Sequence, residues 1–203
     1  DVYKRQGFSV REEGNNVVVT ANYKLGCFDQ AVWTISPGGT AAIDFTYNFS
    51  GVVDLMGVMF DYPEDKVLSK RWVGDGPYRV WQNRLHGPQL GVWENEYNDP
   101  IPAESFTYPE FKGYFANVQW MTLETQEGMI SICNRTPQNY VGVYQPRDGR
   151  DGLLYTFPVT GISLMKVIPP VRNKVNTTDL IGPSSQAFWA DGEYGGGITL
   201  KFE

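Results

Sequence analysis

Strict alternation of apolar and polar residues is the feature that most limits how this chain can fold. Successive side chains of a β-strand point to opposite faces, so a period of two predicts a half-buried antiparallel strand. A helix with such a sequence would spread its apolar residues around every side and bury none of its faces well. In the segment 40–51 the apolar positions are Ile43, Phe45, Tyr47 and Phe49, and the polar positions are Asp44, Thr46, Asn48 and Ser50.

The same pattern recurs along the chain, with Gly or Pro between the runs. We expect consecutive strands to pair as hairpins, with the strand at 65–74 beside the one at 55–63. No segment predicts a helix of ten or more residues. The pattern predicts an all-β fold, a large and mostly antiparallel β-sandwich of roughly a dozen strands. The predicted strands cover 15–25, 30–39, 40–51, 55–63, 65–74, 114–125, 126–133, 141–146, 152–168 and 194–203.

Two segments, 75–113 and 169–185, interrupt the alternation. Prolines and aromatic residues recur through the first of them. A long irregular segment in a compact domain is usually functional, and aromatic residues give it something to pack with. We therefore predict that 75–113 is an ordered loop packed on the sheet.

Length and charge exclude several classes of protein. A chain of 203 residues can form a single β domain, which we assign to 7–203. Residues 1–6 follow neither a strand nor a helix pattern, and we interpret them as a non-native scar. The net charge of −6 and the lack of a basic cluster argue against nucleic acid as a partner. No apolar run approaches the roughly 20 residues of a membrane span, so no membrane partner is expected.

Metal and cofactor chemistry has little support in the residues. The chain has two cysteines, Cys27 and Cys133, and a single histidine, His86, so we expect no structural zinc and no cofactor. The two cysteines either form one disulfide or remain unpaired thiols. No nucleophile motif flanks either cysteine, so we interpret His86 as a packing or surface residue.

Paired carboxylates are the other catalytic possibility. A retaining glycosidase needs two carboxyl groups about 5–5.5 Å apart. Sequence spacing within a loop does not bring any two together, so we interpret these acids as solvated turn residues, one of them paired with Arg79 or Arg84. The acids in the irregular central segment are Glu94, Glu96, Asp99, Glu104 and Glu110.

The stretch RWVGDGPYRVWQNR (71–84) predicts a rigid corner. Gly74 and Gly76 would permit a turn with positive φ, and Pro77 would fix its exit. Arg84 is placed to bond carbonyls or a carboxylate across the turn. A lone Gly-x-Gly is weak evidence for phosphate binding, so we interpret this stretch as a structural turn in the first place and as a ligand site only in the second. The tryptophans available to pack beneath the turn are Trp72 and Trp81.

Several segments of the chain share an order and spacing with one enzyme family. They are GVMFDYPEDKV, DKVLSKRWVGDGPYRVWQNR, QLGVWENEYNDPIP, YPEFKGYFANVQWMTLET, TDLIGPSSQAF and DGEYGGGITLKF. The residues that carry the likeness are Trp72, Gly74, Gly76, Pro77, Arg84, Pro109, Glu110, Gly113 and Trp120. From about Gly7 to Glu203 the chain resembles the C-terminal domain of family 2 glycoside hydrolases of the β-galactosidase type.

The resemblance implies a supersandwich of the galactose mutarotase-like type, the last domain of a multi-domain hydrolase that retains configuration. In that family the catalytic glutamates lie on a (β/α)₈ barrel of about 250 residues, so no catalytic residue is carried onto this chain. The implied partners are the barrel and other domains of the same chain and a carbohydrate substrate. The compartment stays open, with a bacterial periplasmic or secreted location favoured over the cytoplasm.

The resemblance also points to a sugar-site loop. Family members place a Trp in an Asp-x-Trp-x-Pro setting, which matches Asp179 to Pro183 here, with Ile181 where the Trp would stand. Lactose-like specificity is therefore not expected, and another β-glycoside is. Trp189 either replaces the missing aromatic platform or packs in the sandwich.

Two other functions remain open. The aromatic content, 14% of residues, also suits a free-standing carbohydrate-binding module. An aldose 1-epimerase-like enzyme on the same sandwich would need a histidine and a carboxylate across one sugar ring. That reading would have to use His86.

Overall fold

The fold is all-β, as the alternation predicted. The structure, a computed structural model, describes residues 4–96, 113–143, 161–170 and 187–203. In these ranges the only helical element is the short 3₁₀ turn η1 (Glu64–Lys66), and no helix is long and apolar enough to cross a bilayer. The strands are β1 (Lys4–Glu13), β2 (Asn16–Leu25), β3 (Phe28–Ser36), β4 (Thr40–Val53), β5 (Met56–Phe60), β6 (Val67–Gly76), β7 (Gln89–Glu96), β8 (Trp120–Thr125), β9 (Gly128–Asn134), β10 (Tyr140–Val143), β11 (Ile162–Val167) and β12 (Phe188–Phe202).

The described strands form two antiparallel sheets. The large sheet has nine strands in the order β1-β2-β3-β4-β12-β9-β8-β6-β7, and the small one has three in the order β10-β11-β5. Strands β2, β3 and β4 pair as the consecutive hairpins that the turn signals predicted, and β1, which was not predicted, forms a further hairpin with β2. Strand β12 then joins this meander to the rest of the sheet, because it pairs with β4 on one side and β9 on the other.

The core lies between the two sheets. On β4, Ile43, Phe45 and Tyr47 are buried as predicted. They belong to one apolar cluster with Leu164 of the small sheet and Ile198 of β12. The face of the large sheet that points to this cluster is the inner face, and the opposite one is the outer face.

The expected pairing of the strands at 55–63 and 65–74 is wrong. Strand β5 pairs with β11 in the small sheet, while β6 lies in the large sheet between β8 and β7. The turn η1 carries the chain from one sheet to the other. Strands β5 and β11 approach so closely that a Cβ at Gly57 would lie 2.4 Å from the Leu164 carbonyl oxygen. That contact is non-local, so sequence proximity could not reveal it.

The prediction that 75–113 is irregular throughout is also wrong. Strand β7 occupies Gln89–Glu96 and pairs with β6 along its full length, from Gly76↔Gln89 to Ser69↔Glu96. Residues 97–112 lie outside the described part of the chain.

At the start of the chain, residues 1–6 were expected to join no strand. That is wrong for Lys4–Gln6, which belong to β1, with Lys4 opposite Leu25. The two cysteines form no disulfide, and Cys133 is exposed on β9.

Asn134 ends β9 and ties it to the segment before β8. The side chain is buried, its Nδ2 donates to the Val118 carbonyl at 2.9 Å, and its Oδ1 accepts from the Thr136 amide at 2.9 Å. Both ends of this amide are therefore used inside the fold.

Candidate functional site

The corner predicted at 71–84 is a packed unit. Trp72 and Trp81 are both buried beneath it, as expected. The Trp72 Nε1 donates to the Asp75 carbonyl at 3.1 Å, and its ring lies 4.5 Å from the Phe115 ring, centre to centre. Trp93 of β7 adds a third indole, whose Nε1 donates to the Gly74 carbonyl at 3.2 Å. The indoles thus satisfy the turn's carbonyls as well as filling the core.

The glycines of this corner are needed for close approach, not for positive φ. The prediction of a positive-φ turn at Gly74 and Gly76 is wrong, because neither is among the residues with that conformation. A Cβ at Gly74 would lie 2.9 Å from Val118 Cα, and one at Gly76 would lie 2.6 Å from Trp93 Cδ1. Gly113 is likewise needed for close approach, because a Cβ at this position would lie 2.4 Å from the Val80 carbonyl oxygen. Pro77 follows Gly76 through a cis peptide bond.

The side chain of Arg84 does not play the part expected of it. Within the described residues, Arg84 closes the turn through its backbone: its amide donates to the Trp81 carbonyl at 2.9 Å, and its carbonyl accepts from the Trp81 amide at 3.2 Å. Its side chain is exposed and makes no bond across the turn within those ranges. The guanidinium of Arg79 instead lies 5.3 Å from the centre of the Phe115 ring, a cation–π distance.

The candidate catalytic groups do not converge in the described part of the chain. Glu94 and Glu96 lie on strand β7, not in an irregular loop, and both are exposed. The Glu94 Oε2 lies 4.0 Å from Arg71 Nε on β6. His86 is exposed in the turn before β7, and the described ranges hold no group of three or more His, Cys, Asp or Glu that could bind a metal. Asp99, Glu104, Pro109 and Glu110 lie outside these ranges.

The predicted sugar-site loop is only partly described. Asp179, Ile181 and Pro183 lie outside the described residues. Trp189 lies on β12 directly opposite Val52 of β4, and 66% of its surface is exposed. Of the two predictions made for it, packing in the sandwich core is therefore wrong. Its indole is free to meet a ligand or another domain.

Trp120 lies on the outer face, on the third strand from the β7 edge of the described sheet. The next residue, Met121, is fully buried on the inner face, so the alternation of β8 turns the indole outward. Cross-strand pairing places a line of side chains through it, which we call the Trp120 row. The row runs, from β7 to β4, through Val92, Val73, Trp120, Cys133, Thr199 and Ala42.

A second line of side chains lies two residues along each strand on the same face. We call it the polar row, because every member can form hydrogen bonds. It is made, from β7 to β4, of Glu94, Arg71, Thr122, Ser131, Lys201 and Thr40.

The parts of the two rows on β8, β9 and β12, with Thr40 of β4, border a shallow groove of about 390 Å³. Ligand sites usually have about 300–1,000 Å³ with a few convergent polar groups. Trp120 is 36% exposed in this groove. Lys201, which lines the groove, is paired with Glu203, and Arg71, which lies outside it on β6, is 4.0 Å from Glu94. The remaining lining residues are Thr40, Met121, Thr122, Ser131, Ile132, Cys133 and Thr199.

The sequence places Trp120 in the family-like motif, but it does not reveal the neighbours of Trp120 on the polar row. The alternation could have indicated them, because Trp120, Thr122 and Ser131 each lie at an outward-facing position of an alternating strand. Which strands lie side by side was not predictable from that alternation alone.

Comparison with known proteins adds no assignment: no family model matches the chain, and no curated protein matches it significantly.

Proposed function

We propose that this chain is a non-catalytic C-terminal domain of a family 2 glycoside hydrolase of the β-galactosidase type. In this role it packs on the catalytic barrel and helps to shape the sugar site. The parent enzyme hydrolyses β-glycosidic bonds with retention of configuration.

The observation that carries the proposal is the assembly of the corner. Gly74 and Gly113, two glycines of the family-like pattern from separate segments of the chain, each lie too close to a neighbouring segment to carry a side chain. Gly74 of β6 fits against Val118, and Gly113 fits against Val80 and the Trp81 indole. Glycine at these two positions of the pattern is therefore required by close contacts, which supports the family interpretation over a chance pattern.

The DNA sequence upstream of this chain tests the proposal. Sequencing the DNA upstream of the Asp1 codon should reveal, in frame, a (β/α)₈ barrel with two catalytic glutamates. An in-frame stop codon directly before the Asp1 codon would contradict the proposal.

A second measurement tests the non-catalytic part. The purified chain should release no more nitrophenol than buffer from nitrophenyl β-galactoside. Hydrolysis that survives repeated purification would contradict it.

The second candidate is a free-standing carbohydrate-binding module. The exposed indoles of Trp120 and Trp189 on the outer face favour it, because aromatic faces stack on the apolar C–H faces of pyranose rings. The upstream sequence separates the two candidates: a barrel in the same reading frame supports the first and excludes the second.

A further inference from the structure

We propose that the outer face binds a neutral, linear, β-linked oligosaccharide, with one pyranose ring stacked on Trp120 and the chain running across the strands. The proposal rests on the carbohydrate role put forward above, but not on attachment to a barrel. It places a saccharide site away from the loop at Asp179, Ile181 and Pro183.

The stacking platform is set by the Trp120 row. Val73 lies directly across from Trp120 on β6, and Cys133 lies directly across on β9. These side chains place apolar or weakly polar groups on both sides of the indole. No strongly hydrated group therefore lies at its edges. A pyranose presents C–H groups on one face and hydroxyl groups around its rim. The flat indole can cover the C–H face of the sugar while leaving the hydroxyl groups of its rim free.

The polar row supplies partners for the rim. Thr122 and Ser131 face each other across β8 and β9, and both hydroxyls can donate and accept. Sugar hydroxyls also donate and accept, so a buried hydroxyl needs both kinds of partner to avoid an unsatisfied group. Lys201 adds a donor at the β12 position of the row.

The length of the two rows fits an oligosaccharide better than a single sugar. Neighbouring strands lie about 4.8 Å apart, so the three steps from β8 to β4 that border the groove span roughly 14 Å. One strand spacing is close to the length of one pyranose ring in an extended chain. Several consecutive rings can therefore lie along the rows, each above a different strand.

Charge favours a neutral ligand. Both cations of the polar row already have carboxylate partners, Lys201 with Glu203 and Arg71 with Glu94. A uronic acid would have to displace a carboxylate from one of them. The chain's net charge of −6 adds a further repulsion.

Calorimetric titration of the purified chain tests the proposal, with β-1,4-linked galactan and cellulose tetrasaccharides as probes and galactose and glucose as monomer controls. We expect at least one tetrasaccharide to bind, and more tightly than its monomer. Trp120→Ala should weaken binding about tenfold or more. Trp120→Tyr should retain most of it, because the ring face is kept.

A second, gentler variant guards against a loss of fold. Thr122→Val keeps the shape of the side chain and should weaken binding through the lost hydroxyl. Val52→Ala is the control, since it removes an exposed apolar side chain of the same outer face far from the groove, and Trp189→Ala asks whether the other exposed indole of this face holds the sugar instead. Absence of binding to both tetrasaccharides, or binding abolished by Trp189→Ala but not by Trp120→Ala, would overturn the site. Neither result bears on whether a barrel is encoded upstream.

Discussion

At the scale of single residues, the glycines of the corner decide how closely its segments approach. Gly74 allows β6 to lie against the backbone of Val118, which cannot move aside as a flexible side chain could. Gly74→Ala should therefore destabilise the protein by about 1–3 kcal/mol through overpacking. Gly38→Ala is the control, because its Cβ would meet nothing within 4 Å, and we expect a change within about 0.5 kcal/mol. Urea denaturation measures both; equal effects would show that Gly74 is not needed for the contact.

Tyr47 gives the second residue-scale prediction. Burial, with smaller effects from Tyr194 and Cys27, raises its pKa from the ordinary 10.0 to about 12. The unfolded chain then loses this proton first, so stability that is fully present below pH 10 is lost as the pH rises towards 12. Tyr47→Phe removes that proton, and its free energy of unfolding should fall less steeply over this window. Parallel curves for the two proteins would contradict the shifted pKa.

At the scale of elements, β12 is the strand that holds the large sheet together. It is hydrogen-bonded on both sides over Ile198–Phe202, whereas β1 and β7 are edge strands of the described sheet. Local opening exposes edge strands before central ones. Hydrogen exchange followed by mass spectrometry should show slower exchange, by about tenfold or more, in the peptide covering 198–202 than in the peptide covering 7–13. Similar rates in both would mean that the sheet opens as one unit.

The elements also show what the sequence can and cannot predict. Alternation placed β2, β3 and β4 within a few residues, because each buries one face and pairs with its neighbour in sequence. It failed for the partner of β5, since the contact with β11 joins residues about a hundred positions apart. It missed β7 because prolines stand on both sides of that strand in the sequence, at 88 before it and at 100 and 102 after it. The same holds for the Trp120 groove. Alternation along each strand shows which side chains face outward, but only the order of the strands in the sheet shows which of them lie side by side.

At the scale of the whole molecule, stability depends on the contact between the two sheets. Leu164 of the small sheet is buried, and a Cβ at Gly196 of β12 would lie 3.3 Å from its Cδ2. Leu164→Ala should therefore open a cavity between the sheets and cost about 2–5 kcal/mol. Met59→Ala, at a 45% exposed position of β5, should cost much less. Denaturation followed by both fluorescence and circular dichroism measures the costs; a small loss for Leu164→Ala would show that the small sheet contributes little.

The buried amide of Asn134 has a consequence for producing the protein. Asn134-Arg135-Thr136 is an N-glycosylation triplet, which a eukaryotic secretory pathway can modify before the chain folds. A glycan on Nδ2 would take away a donor that bonds the Val118 carbonyl, at a position only 5% exposed. Glycosylation at this residue and the native fold therefore exclude each other. A bacterial expression host avoids that conflict.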